Sequence, residues 1–177
     1  SAGFTHWAKL NNLKQAAKTM NFLTEHGISS YGELESKLTA VSARRDTAHA
    51  EIKRIESRSA ELALVMKHAG TYRQLKPLYD RYRKSNDKEK FLRGHESEII
   101  LFEAAARELK RLEAVPLPTT ESIKAELANL NAEKERLLAE YKAARTEAQE
   151  YETVKQNVDA LLTVPKEQEQ QRRHELE

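Results

Sequence analysis

Within the expected helices, Asp46 with His49 and His95 with Glu98 each set an imidazole and a carboxylate three residues apart. On a helix such residues share a face, so each pair could open a metal site or an acid–base couple. Neither pair is extended by further ligands. A di-metal site in a helical bundle calls for two Glu-x-x-His motifs and two more carboxylates, whereas the six histidines here never recur as His-x-His or His-x-x-x-His. Cysteine is absent, which removes thiolate ligation and disulfides. The five glycines are scattered singly, so there is no Gly-rich phosphate loop, and no Gly-x-Ser-x-Gly elbow occurs. Tyrosines can attack phosphodiesters, but none stands beside a histidine cluster suited to a metal. The expectation is a segment with no catalytic residue, no metal, no cofactor and no small-molecule substrate.

A different chemistry is offered by KPLYDRYRKSNDKEKFLRGH, Lys76 to His95. From Arg73 to Arg93 there are eight basic and three acidic side chains, interleaved with Tyr79, Tyr82 and Phe91. Cations at this density can neutralise phosphates. Lys76, Arg81, Arg83, Lys84, Lys88, Lys90 and Arg93 are the candidate nucleic-acid-binding residues, expected to touch backbone without reading sequence, since nothing nearby supplies a groove-entering recognition helix. The plainer expectation, compatible with the first, is that the three rings pack inward while the cations stay solvated.

The elements that position this stretch follow from composition. Of 177 residues, 33% are charged and only 6% aromatic, too little for a thick core. Residues that lose least on entering a helix dominate, and glycine and proline are few. Thirty basic and 28 acidic side chains give a net charge of +2, so any polyanion site must be local. No apolar run approaches the roughly 20 residues that span a bilayer, and no basic-then-apolar leader opens the chain. A cytoplasmic protein without membrane insertion is expected, and the Ser1-Ala2-Gly3 opening reads as the edge of a piece of something larger.

Punctuation divides the chain into helices at about 5–26, 31–85, 87–113 and 120–163, followed by a polar tail over 165–177. Gly27 stops the first, and Ser30 with Glu33 forms a capping box for the second. Pro77 should kink or break that helix near Arg73 to Lys76. Asn86 or Asp87 caps the third, which Gly94 divides; Val115-Pro116-Leu117-Pro118 is extended. Thr119 or Thr120 caps the last.

Both long helices carry a stripe with a 3.5-residue period, the mark of a coiled-coil seam. One runs Leu34, Leu38, Val41, Arg45, Ala48, Ile52, Ile55, Ser59, Leu62, Met66, Ala69; the other runs Ile123, Leu127, Leu130, Lys134, Leu137, Tyr141, Ala144, Ala148, Tyr151, Lys155, Val158, Leu162. After Ala69 the stripe passes to Val65, Tyr72, Leu75, Tyr79 and Tyr82, as if the partner changes. The expected fold is all-α: an elongated antiparallel coiled-coil hairpin with three-helix bundle ends. The first helix would pack through Trp7, Leu10, Leu13, Ala17, Met20 and Leu23. Matching large residues to small ones favours a register that sets Val41 by Val158, Ala48 by Tyr151 and Leu62 by Leu137, at the cost of Arg45 beside Lys155; a one-heptad slip would face alanine with alanine.

Four stretches, HWAKLNNLKQAAKTMNFLTEHGI, YGELESKL, the YDRYRKS block and AEKERLLAEYKAARTEAQEYETVKQNVDALL, resemble the helical carboxy-terminal region of relaxases, the mobilisation nucleases of conjugative and mobilisable elements of Firmicutes. The resemblance covers almost the whole chain through loose helical patterns. In that family an amino-terminal domain with a tyrosine nucleophile and a histidine-hydrophobe-histidine metal site nicks DNA, and neither motif occurs here. The resemblance therefore implies a non-catalytic accessory domain that contacts DNA or conjugation-machinery proteins in plasmid or transposon mobilisation. The rival expectation is a coiled-coil spacer or oligomerisation module without a ligand.

Overall fold

The computed structural model describes the backbone of residues 2–174 and the side chains of residues 10–163. Four helices account for the fold: α1 (Ala2–Glu25), α2 (Tyr31–Lys84), α3 (Lys88–Arg111) and α4 (Thr120–His174). The protein is all-α, with no strand among the described residues.

The helix ends are made by local hydrogen bonding. At the end of α1, Gly27 takes φ 63°, and the N–H groups of Gly27 and Ile28 donate to the carbonyls of Thr24 and Leu23 at 3.2 and 2.8 Å. That double bond satisfies carbonyls the helix leaves open. α3 ends in the same way, with Glu113 at φ 55° where a glycine would sit more easily: Glu113 and Ala114 donate to Lys110 and Leu109. At the start of α2 the Ser30 hydroxyl accepts from the Glu33 N–H at 3.2 Å. The Glu33 carboxylate returns one residue earlier than a capping box requires, accepting from the N–H and hydroxyl of Ser29 at 2.7 and 3.0 Å. Asp87 caps α3 through the Lys90 N–H, and Thr119 caps α4 through the Ser122 N–H.

The three breakers behave differently. α2 runs through Pro77 as one helix, so the break expected near Arg73 to Lys76 is absent. Losing one backbone donor leaves the turns on either side intact, and the Tyr79 ring, two residues on, is docked against α3. Gly94 does mark a division, since His95 leaves helical geometry at φ −139°, ψ 24° and kinks α3. α4 continues past Pro165 to His174 instead of ending near Thr163.

The chain divides into two compact units, residues 1–49 with 138–177 and residues 50–137. In the first, the start of α2 and the end of α4 run antiparallel around Ile28, Leu34, Val41, Ala148, Tyr151 and Val154. Their register differs from the expected one. Arg44 meets Glu147 at 2.8 Å, His49 lies against the Tyr141 ring at 5.5 Å, Tyr31 donates to Asp159 at 2.7 Å, and Lys155 approaches Glu35 at 3.7 Å. These partners have numbers summing to 190 or 191, close to the one-heptad slip rather than the 199 that large-to-small matching favoured. Charge decides it: the expected register sets Arg45 against Lys155, whereas the observed one gives Lys155 a carboxylate. The facing alanines leave no exposed gap, because Ala48, Ala144 and Ala148 are at most 2% exposed, and helix separation follows the size of the contact residues.

α1 rests on this pair by a face that, among the described side chains, shares only Leu23 with the expected one. Leu10, Leu13 and Met20 are 45, 67 and 58% exposed. Its inward side is the buried Thr19 with the half-buried Phe22 and Leu23, the Phe22 ring edge-on to Tyr151 at 5.1 Å. The aromatic contact fixes the rotation of α1 and turns the aliphatic stripe outward. The Trp7 side chain lies outside the described residues.

In the second unit the remainder of α2 and the start of α4 are again antiparallel, with Lys134 on Glu56 at 3.0 Å and Arg58 on Glu126 at 2.8 Å. Ile52, Ile55, Leu62, Val65 and Ala69 of α2 and Ile123, Leu130 and Leu137 of α4 are buried here. α3 adds Ile99, Phe102, Ala105 and Leu109, a stripe repeating every turn. Beyond Ala69 the α2 stripe does pass to rings, and they meet α3 through Phe102.

Candidate functional site

The basic stretch forms the corner where α2 passes into α3. Three residues make the turn: the Ser85 hydroxyl accepts from the Asp87 N–H at 3.3 Å, and the Asp87 carboxylate caps α3. Arg81, Arg83 and Lys84 fall in the last turn of α2, where positive side chains complement the helix dipole. Lys88, Lys90 and Arg93 follow in the first turns of α3, before the His95 kink.

Beneath the cations runs a series of ring contacts. Phe102, 5% exposed, lies between Tyr72 and Tyr79, stacked on them at 4.7 and 4.2 Å. Tyr79 is 5.9 Å from Tyr82, Tyr82 is 6.1 Å from Phe91, and Phe91 is 4.7 Å from the His95 imidazole. His95 in turn bonds Glu98 at 3.1 Å, pinning the residue at the kink to the next turn of α3. The rings expected to close this corner are half-buried and in contact.

All seven candidate cations are exposed. Lys76 stands apart from the other six, since its ammonium pairs with Asp80 at 3.0 Å. Among the described residues, Arg81, Arg83, Lys84, Lys88, Lys90 and Arg93 have no side-chain ion pair. Arg73, equally basic, is committed to structure: its guanidinium donates to the Pro118 carbonyl and the Thr120 hydroxyl, tying α2 to the start of α4. Cations elsewhere include paired ones, as with Arg58, which bridges Glu126 and Glu61 at 2.8 and 3.4 Å; what sets the corner apart is how closely its unpaired cations follow one another in the chain. Six unmatched cations within 13 residues give this corner a positive field that the near-neutral chain does not have as a whole.

The imidazole–carboxylate pairs do not assemble into a reactive centre. Asp46 turns away from His49 to Arg45, at 2.8 Å, and that hydrogen bond holds its carboxyl below the usual range. Among the described residues no three histidine, aspartate or glutamate side chains converge as metal ligands. A groove of about 440 Å³ lies between α1 and α4 in the first unit, bordered by Gln15, Thr19, Phe22, Thr153 and Asn157. Its polar groups bond one another: the Asn157 amide donates to Thr19 and Gln15 at 3.3 and 3.5 Å, and Thr19 donates to the Gln15 carbonyl at 2.9 Å.

Phe102 is the residue the sequence reading missed. The spacing Ile99, Phe102, Ala105, Leu109 announces an apolar face on α3, and an aromatic in its middle, opposite a tyrosine-rich helix end, was the available signal. Among the described residues, no helix is long and apolar enough to cross a membrane. Comparison with family models, curated proteins and solved structures gives no match for the chain.

Proposed function

We propose that the chain is a non-catalytic accessory domain of a DNA relaxase acting in plasmid or transposon mobilisation, and that its α2–α3 corner holds DNA by the phosphate backbone. One observation carries the contact: Arg81, Arg83, Lys84, Lys88, Lys90 and Arg93 are exposed and without ion pairs on a short, aromatic-stiffened corner. The relaxase assignment rests on the sequence resemblance of the four helical stretches. Holding DNA fits an accessory role, because the nicking chemistry would belong to another part of such an enzyme while this segment supplies grip.

Binding of this kind depends steeply on salt. If about four phosphates are contacted on a duplex, log affinity falls with log salt at a slope near −3.6, and Arg83→Ala with Lys84→Ala flattens it by about 2. Fluorescence anisotropy of a labelled duplex across a salt series measures both. An unchanged slope in the double variant, or no binding at low salt, leaves the corner as the solvated end of a coiled-coil spacer.

A further inference from the structure

We infer that the nucleic acid this corner takes is double-stranded, held by its backbone with no base stacked on the protein. The inference rests on the proposed DNA contact and concerns which form of DNA the corner prefers.

Proteins that hold single strands combine a basic track with aromatic faces on which bases stack, each stacked base contributing about 1–3 kcal/mol. The sequence of this corner has both ingredients, cations and rings in alternation, and could be read as such a platform. The structure assigns the rings elsewhere. Tyr79 has Phe102 stacked on it at 4.2 Å and Tyr82 tilted beside it at 5.9 Å. Tyr82 and Phe91 are tilted against each other at 6.1 Å, and His95 is tilted against Phe91 at 4.7 Å. Each ring is half-buried with another ring against it. A base stacking here competes with these contacts, two of which, Tyr79–Phe102 and Tyr82–Phe91, join α3 to α2.

With stacking unavailable, the choice between strands falls to charge density. A duplex releases about 0.9 counterion per neutralised phosphate and a single strand about 0.7. For about four contacts this is about 3.6 against about 2.8 ions, so with the two forms equal at about 1 M salt, where the ionic contribution is spent and no stacking adds to it, the duplex binds on the order of tenfold tighter at about 50 mM. The geometry agrees: the cations sit in two short clusters on either side of the Ser85–Asp87 turn, suited to a stiff rail of phosphates.

The test measures binding of the whole chain to a 20-base-pair duplex and to a 20-nucleotide oligo-dT at 50 mM salt. The same titrations are repeated on a Tyr82→Leu, Phe91→Leu variant whose helix content and thermal melt are checked by circular dichroism. The expected result is duplex binding on the order of tenfold tighter, with both affinities within about twofold in the ring variant. Oligo-dT binding as tightly as duplex, or losing fivefold or more in the ring variant, overturns the inference while leaving the DNA contact in place. Binding of neither strand form overturns the proposed function itself.

Discussion

α1 and α3 are both 24 residues long and each completes a three-helix unit against the α2–α4 pair, yet they are held differently. α3 buries Ile99, Phe102, Ala105 and Leu109 in one stripe, and Phe102 sits between two tyrosines. α1 buries only Thr19 among its described side chains and leans on the edge of Tyr151 through Phe22. Leu10, Leu13 and Met20, the stronger apolar signal in its sequence, face outward. A large ring with a matching partner therefore fixes a helix's rotation more firmly than a stripe of leucines without one, and the firmly held helix is the one that carries half of the cation cluster.

The largest expected effect breaks the better-held side. Phe102→Ala removes a nearly fully buried ring and leaves Tyr72 and Tyr79 without their shared face, so a loss of about 3–5 kcal/mol is expected in urea unfolding followed by circular dichroism. A loss below about 1 kcal/mol would mean that the stack is dispensable and that α3 is held by its aliphatic residues.

The helix boundaries were legible because caps and breakers act within a few residues: Gly27, Asp87, Thr119 and the Gly94–His95 kink are all local events. The seam stripe was legible too, since period alone selects it, and Leu34, Ile55, Ile123 and Ala144 are buried as the spacing requires. Register was not, because size matching and charge matching disagree and a heptad slip preserves the stripe. Nor was the face of α1, where two stripes about 100° apart compete and the arbiter, Tyr151, lies far along the chain. At the corner, the inward packing of Tyr79, Tyr82 and Phe91 was legible from their interleaving with cations, but the withdrawal of Lys76 by Asp80 depended on rotamers.

A pH test reaches the weaker side. Tyr31 donates to Asp159, and that hydrogen bond is the main cause that pushes its phenol up to about 12 from 10.0. A raised folded value means the folded state keeps its proton longer than the unfolded one. The contribution is therefore complete below pH 10 and is lost as pH rises toward 12. Thermal melts should show a decline over that window that Tyr31→Phe reduces; an identical decline in the variant would remove this bond from the account of how α2 is tied to α4 in the first unit.

The register beneath both helices can be probed through the Lys134–Glu56 contact at 3.0 Å, in the unit that α3 completes. Lys134→Glu should lower the melting temperature slightly by setting two carboxylates together, and adding Glu56→Lys should restore it, with the restoration shrinking in high salt. If the second change gives no recovery, the two side chains are not neighbours in solution and the register is wrong.

The smallest expected effect sharpens the comparison most. Leu13 and Met20 lie on the aliphatic face that sequence periodicity would bury, whereas they are 67 and 58% exposed. Truncating a buried leucine or methionine costs about 2–5 kcal/mol, but a side chain already in water has little burial to lose, and exposed substitutions stay within about 0.5 kcal/mol. Leu13→Ala and Met20→Ala should therefore leave urea unfolding of the chain unchanged within about 0.5 kcal/mol, and the helix propensity of alanine would offset part of any loss. Phe22→Ala, on the next face around, supplies the contrast: its ring touches Tyr151 and should cost clearly more than either. Equal costs for Leu13 and Phe22 would mean that α1 is rotated in solution toward the face its leucines advertise, and the difference between the two 24-residue helices would then be one of residue size alone.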